Sequence, residues 1–206
     1  MTLTTYNGLV ASIRAWLMDR ADLAAVIPDF VTLAEADMTQ RLRLRLMMRR
    51  VVSTLASEGY AALPDDCLQI YRLTLDGSDL EFSGSLQMAG IDRDWRGRAP
   101  MYYSIVGEQI QFSPVGPTPG GQIEMTYYAR PTPLSADNQT NKLLQAAPSA
   151  YLYGSLIQSA PYLADDARVQ TWGALYAQSC DLLQAADNAA EFPGPLVPRA
   201  SAGAWG

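Results

Sequence analysis

Residues 148–187 constrain this chain more than any other stretch. The text PSAYLYGSLIQSA, PYLADD and ARVQTWGALYAQSCDLLQAAD divides at Pro161 into two helical segments. In the second, Val169, Trp172, Tyr176, Leu183 and Ala186 recur at helical steps, with Leu175 and Leu182 widening the stripe. That is the period of a helix with one buried face. Asp165 or Asp166 is placed to cap its start, because a carboxylate there accepts from the orphan amides of the first turn. Pro161 has no amide to donate and disfavours helix at Ala160, so the first segment should end or kink there. Beyond the pair, residues 188–206 carry three prolines and three glycines among nineteen positions, too many for helix or sheet. Phe192, Leu196, Val197 and Trp205 nevertheless make that tail apolar. Two readings stay open for it: a frayed terminus, or a segment that orders when its Pro-flanked apolar residues bind a partner.

The other end of the chain is also helical in period. Thr4 and Thr5 can cap a helix reaching about Met18, with Leu9, Val10, Ile13, Trp16 and Leu17 on one face. A second helix is predicted to follow Pro28 and to run over residues 29–46. In it Phe30, Ala34, Met38 and Leu42 lie four apart, with Leu33 alongside. Near its end stands RLRLRLMMRR, five arginines in ten residues. As a helix this text puts Arg41, Arg45 and Arg49 on one face, with Asp37 four residues ahead of Arg41 in the favourable order. As a strand it alternates cleanly, so the boundary stays open.

From residue 50 to 130 the period shortens to that of β-strands separated by turn residues. Residues 51–55 and 60–63 read as a hairpin, residues 68–75 as a strand ending at the turn pair Asp76-Gly77, and residues 80–82 as a short return strand. Residues 85–91 read as a helical turn and residues 92–100 as a charged loop. MYYSIV, Gly107-Glu108 and QIQFSP form the cleanest hairpin, since glycine first in a two-residue loop is what a type II′ turn requires. A final strand covers residues 122–129. Helices, then strands, then helices favours an α+β class with an antiparallel sheet. The division expected is N-terminal helices over 1–49, an inserted antiparallel β portion over 50–130, a linker over 131–147, C-terminal helices over 148–188 and an extended tail over 189–206. The two helical ends are expected to form one bundle.

Composition narrows the chemistry. The chain has no histidine, which removes Ser-His-Asp and Cys-His catalysis and histidine-ligated zinc. Cys67 and Cys180 fit no metal or redox spacing. Asp65-Asp66, Asp92/Asp94 and Asp165-Asp166 are paired carboxylates, better explained as caps and turns than as acid–base pairs. No catalytic, cofactor-binding or metal-ligating residue is therefore expected, and no enzymatic activity. A net charge of −6 is opposite to that of a free-standing nucleic-acid binder. No stretch approaches the roughly 20 apolar residues that span a bilayer, and the first sixteen residues lack a secretory pattern. The residues singled out are thus Arg41, Arg45 and Arg49, as charge at a subunit contact or facing DNA, and Phe192, Pro193, Leu196, Val197 and Trp205, as a docking tail.

Several of these motifs occur in a recognisable order. DFVTLAEADMTQRLR, then YYSIVGE, then MTYYARPTPLS, then LYGSLIQSAPYLADDARVQTWGALYAQSCDLLQAAD resemble the head-to-tail adaptor proteins of tailed phages, over residues 6–187. The resemblance implies a structural protein of the virion head–tail junction, assembled in the bacterial host cytoplasm as a homo-oligomeric ring, twelve copies beneath the portal. It implies a portal protein and tail (nozzle or tube) proteins as partners, DNA passing through the channel without specific binding, and neither membrane nor cofactor. It further implies that a C-terminal extension grips the portal. The residues alone also permit a small peptide- or ligand-binding module with a disordered C-terminus.

Overall fold

The computed structural model describes residues 3–56, 59–94, 99–114, 120–163 and 167–191. The class is α+β, with six α-helices and two sheets among the described residues. The chain forms two compact units, Met1–Arg45 with Pro133–Gly206 and Leu46–Thr132.

The first unit is helical. Helix α1 (Tyr6–Trp16) starts where the Thr5 side chain accepts from the Gly8 amide at 3.2 Å, and it buries Tyr6, Leu9 and Ile13. Trp16, expected on the buried stripe, is 44% exposed. Helix α2 (Ile27–Arg41) takes Pro28 in its first turn and buries Ile27, Phe30, Val31, Ala34 and Met38, while Leu33 faces solvent. It stops at Arg41, five residues before the expected end. Leu42 is extended, and Leu42 and Leu44 are both buried, with Arg43 between them. Two leucines two positions apart point the same way only in extended chain, because a helix would turn them about 200° apart. Alternation wins here over the helical reading.

A short helix α4 (Lys142–Ala146), capped by the Asn141 side chain, lies inside the stretch expected to be a linker, and buries Leu143 and Leu144. Helix α5 (Pro148–Gln158) is apolar on most sides, burying Ala150, Tyr151, Leu152, Gly154, Ser155 and Leu156. It ends before a 3₁₀ turn, Ala160–Tyr162, that contains Pro161. Helix α6 (Arg168–Glu191) buries Trp172, Tyr176 and Cys180, one residue per turn. Leu183 is half-buried, but Leu182 and Ala186 face solvent, and the helix continues to Glu191, three residues into the expected tail. Helices α1, α2, α4 and α6 all contact α5. At Gly154 a Cβ would meet the Tyr176 ring at 3.1 Å and Ala34 at 3.3 Å, so α2, α5 and α6 come close together there.

The second unit holds two four-stranded sheets. One runs β1 (Met48–Thr54), β8 (Gln122–Ala129), β3 (Cys67–Leu75), β4 (Ser78–Asp79). The other runs β2 (Tyr60–Ala62), β7 (Gln109–Ser113), β6 (Tyr102–Val106), β5 (Glu81–Phe82). All pairs are antiparallel except β5 with β6. Strand β8 alternates as read from sequence, with Ile123, Met125, Tyr127 and Ala129 inward. These meet Leu73 and Leu75 of β3, Ala61 of β2 and Ile110 and Phe112 of β7 in one core. The expected hairpin of β1 with β2 does not form: β1 pairs with β8 and β2 with β7, so the chain changes sheets between them. The return strand is likewise divided, since β5 joins the other sheet in parallel. Both changes let the inward residues of each strand reach a shared core, which a meander would leave half open.

The β6–β7 hairpin closes as predicted through Gly107-Glu108, with Val106 opposite Gln109. Positive φ occurs at Gly107 (63°) but not at Glu108, the signature of a type II′ turn. Helix α3 (Ser85–Asp94) extends past the single turn expected and lies against β6 and β7.

Candidate assembly surfaces

Taken element by element, the arginine-rich stretch disperses. Arg41 closes α2 and pairs with Asp37 one turn earlier at 2.7 Å. Asp37 also accepts from the Tyr176 hydroxyl at 2.5 Å, and the Arg41 guanidinium lies 5.6 Å from the centre of that ring. Burial and then this bond push the Tyr176 hydroxyl well above its ordinary pKa. Arg43 donates to the carbonyls of Thr39 and Leu42 at 2.7 Å each, satisfying the end of α2. Its backbone exchanges two hydrogen bonds with the Gln184 side chain of α6, at 3.3 and 3.1 Å. Arg45 donates to Asp187 from its backbone amide at 3.0 Å and from its guanidinium at 3.3 Å, and reaches the Ala190 carbonyl at 3.2 Å. The distal half of α6 is thus tied to the extended residues that follow α2.

Arg49, on β1, pairs with Asp66 at 2.7 Å. Asp66 accepts in addition from the Tyr127 hydroxyl at 2.9 Å. Burial, with that bond second, pushes Tyr127 up to about 12. Of the two readings left open for this stretch, the helical one, with Arg41, Arg45 and Arg49 on one face, does not hold. One closes α2, one begins a 3₁₀ turn and one lies in a strand, because the helix ends at Arg41. Each guanidinium rests against a carboxylate of its own unit.

One group escaped the sequence reading. Glu35, on the flank of the α2 stripe, accepts from the Leu134 amide at 3.1 and 3.3 Å, from the Tyr151 hydroxyl at 3.0 Å and from the Asn141 side chain at 3.3 Å. Asn141 also donates to the Tyr151 hydroxyl at 2.9 Å while capping α4. Burial holds the Glu35 carboxyl above the ordinary carboxylate range, and the bonds from Tyr151, Leu134 and Asn141 pull it partly back. The available signal was an acid four residues after Val31 and one after Ala34, beside a buried stripe.

The other candidates lie elsewhere or carry no chemistry. Phe192, Pro193, Leu196, Val197 and Trp205 fall outside the described residues, as do Asp165, Asp166 and the side chains of Asp92 and Asp94. Among the described residues no group of three His, Cys, Asp or Glu is placed to hold a metal ion. No described helix is long and apolar enough to cross a membrane. An open cleft of about 290 Å³ lies between Arg41, Leu42, Ala177, Cys180, Asp181 and Gln184. It is at the lower limit of small-molecule sites, roughly 300–1,000 Å³. Exposed apolar side chains are more prominent: Trp16, Met18, Leu33, Tyr162 and Leu182 on the helical unit, and Val52, Tyr71, Phe82, Leu86 and Met101 on the sheet unit.

No curated protein matches the chain. The sequence model of a family described as SU10 adaptor protein matches residues 4–199, a span that includes both units. The chain belongs to the SU10 adaptor proteins, a phage head-to-tail adaptor family.

Proposed function

We propose that this protein is a non-catalytic joint at the head–tail junction of the virion, in which copies encircle the DNA channel beneath the portal. The family match across residues 4–199 is the observation that carries this reading. In it the helical unit is a bundle whose exposed faces close a ring by head-to-tail contact with neighbouring copies, which requires a rotation that closes. Twelve copies follow from the family resemblance. The sheet unit faces the tail proteins. DNA passes without specific binding, in keeping with a net charge of −6 and with Arg41, Arg45 and Arg49 each beside a carboxylate.

The portal is gripped by the residues after α6. From Glu191 the remaining fifteen residues reach about 50 Å if extended, at roughly 3.3 Å each. They carry Phe192, Pro193, Leu196, Val197 and Trp205 as anchors that order on contact. Because Ala190 accepts from Arg45, a clean truncation ends at Glu191. The chain cut there should keep its circular dichroism and melting curve, yet fail to co-sediment with isolated portal. Undiminished co-sedimentation would remove the tail from this role.

A further inference from the structure

Helix α6 outlasts its own core contacts. Its fully buried side chains end at Cys180. Over the last eleven residues, 181–191, Leu183, Gln184, Asp187 and Glu191 are half-buried and the rest face solvent. The local sequence does not favour a helix end at Glu191. The last four carbonyls of a helix lack partners within it, and the dipole there favours a cation. The last turn of α6 holds no basic residue, and Asp187 and Glu191 bring negative charge to it instead. By these rules the end should fray back towards Cys180.

What the helix lacks comes from outside it, within the same helical unit. The Gln184 side chain exchanges two hydrogen bonds with the Arg43 backbone, at 3.3 and 3.1 Å. Arg45 then gives Asp187 its amide and its guanidinium, and gives the Ala190 carbonyl a second guanidinium nitrogen at 3.2 Å. One residue, more than 140 positions earlier in the chain, thus supplies both the cation and the carbonyl donor missing at the end of α6. What this lacing fixes is the place and direction at which the chain leaves the helix.

We infer that Arg45 is a positioning residue for the portal contact, holding the last turns of α6 as the fixed base from which residues 192–206 are presented. The inference rests on the reading of that segment as the portal grip. Were α6 to fray back to Cys180, about 16 Å of helix would be lost, at 1.5 Å per residue. The free segment would lengthen from 15 to 26 residues. Docking would then have to rebuild the base, so the apparent affinity falls with the fraction of chains in which the base is already formed. Arg45 has this effect without touching the portal.

Arg45→Ala in the full chain, with isolated portal, tests this. Hydrogen exchange should turn fast at the amides of residues 185–191 while those of residues 172–180 stay protected. Co-sedimentation should need about tenfold more protein, the low end of what one charge-assisted hydrogen bond is worth. Ala185→Gly with Ala189→Gly loosens the same turns without touching Arg45, and should weaken binding likewise. Asn188→Lys with Ala189→Lys, both at exposed positions, places the missing cations on α6 itself. Added to Arg45→Ala, this pair should restore both protection and binding. Full-strength binding by Arg45→Ala despite fast amides would overturn the inference, because the base would not matter. Amides that stay protected in Arg45→Ala would overturn it too, because something else would hold the base. So would a lysine pair that restores protection without binding, since Arg45 would then touch the portal itself. The chain cut after Glu191 keeps the two readings apart. If it still binds portal, the tail reading falls as well; if it fails while Arg45→Ala binds fully, only the positioning role falls.

Discussion

In the helical unit carboxylates sit between elements. Glu35 joins α2 to α5 and to the residues around Leu134, Asp37 joins α2 to α6, and Asp187 joins α6 to Arg45. In the sheet unit the cross-strand charges lie outside, as Arg50 with Glu124 and Arg72 with Asp79, around an apolar core. The difference follows from geometry. A strand sends alternate residues to opposite faces, so core and charge separate without conflict. Helices that cross at Gly154 bring their flanks together, and polar residues on those flanks must find partners or be left out. A misplaced helix therefore breaks hydrogen bonds, whereas a slipped strand buries its polar face.

The largest effects should separate the two units. Phe112, fully buried in the sheet core, should cost about 3–5 kcal/mol on truncation to alanine. Hydrogen exchange should show faster opening of β8 amides while those of α5 keep their protection. Gly154→Leu should do the reverse, at about 1–3 kcal/mol or more, because even a Cβ would lie 3.1 Å from the Tyr176 ring. Equal loss of protection in both units, from either substitution, would show that they unfold as one.

Sequence periodicity was a good guide wherever one face of one element meets the core. Strand β8, the β6–β7 hairpin and the Trp172–Tyr176 row of α6 follow directly from it. It was a poor guide to which strands become neighbours. The hairpin assigned to β1 and β2 used the short separation between them, yet their inward residues are satisfied by β8 and β7, more than forty positions away. The arginine stretch failed for a different reason: alternation and helical spacing were both present, and the burial of Leu42 and Leu44 decided between them. Of the candidate residues, Asp37 with Arg41 was legible as a four-residue spacing. The partners of Arg45 and Arg49, Asp187 and Asp66, depend on tertiary contact that no local rule contains. Glu35 was invisible because its donors come from α5 and from residues about a hundred positions later.

Glu35 gives a pH test of the helical unit. Replacing it with alanine strands the Tyr151 hydroxyl and the Leu134 amide, at a cost of about 1–3 kcal/mol. Glutamine keeps an acceptor and removes the charge. Because burial raises the folded carboxyl above its unfolded value, the folded state holds more protons between the two. The stabilisation linked to Glu35 is then full below the ordinary carboxylate pKa and is lost as pH rises through the raised value. Melting curves between pH 4 and 7 should show the native chain losing ground to Glu35→Gln as pH increases. Parallel curves for the two proteins would mean that the three donors fully offset the burial.

The smallest effects test the comparison most closely, because they use one chemistry in two settings. Arg50 and Glu124 form a two-pronged pair at 2.5 and 2.6 Å, better geometry than Arg45 with Asp187 at 3.3 Å. Distance alone predicts that Glu124→Gln is the more damaging change. Burial predicts the opposite, since the Glu124 side chain is 39% exposed while that of Asp187 is 13% exposed and also accepts a backbone amide. Exposed pairs gain little because water and salt screen them, whereas the enclosed Asp187 carboxylate accepts from both the guanidinium and the amide of Arg45, and asparagine can serve only one of them. Asp187→Asn should therefore lower stability by about 1 kcal/mol, and Glu124→Gln should leave the melting temperature unchanged at both low and high salt. A Glu124→Gln loss as large as that of Asp187→Asn would mean that the sheet unit draws stability from its outer charges, and the contrast between the units would narrow to where those charges are placed.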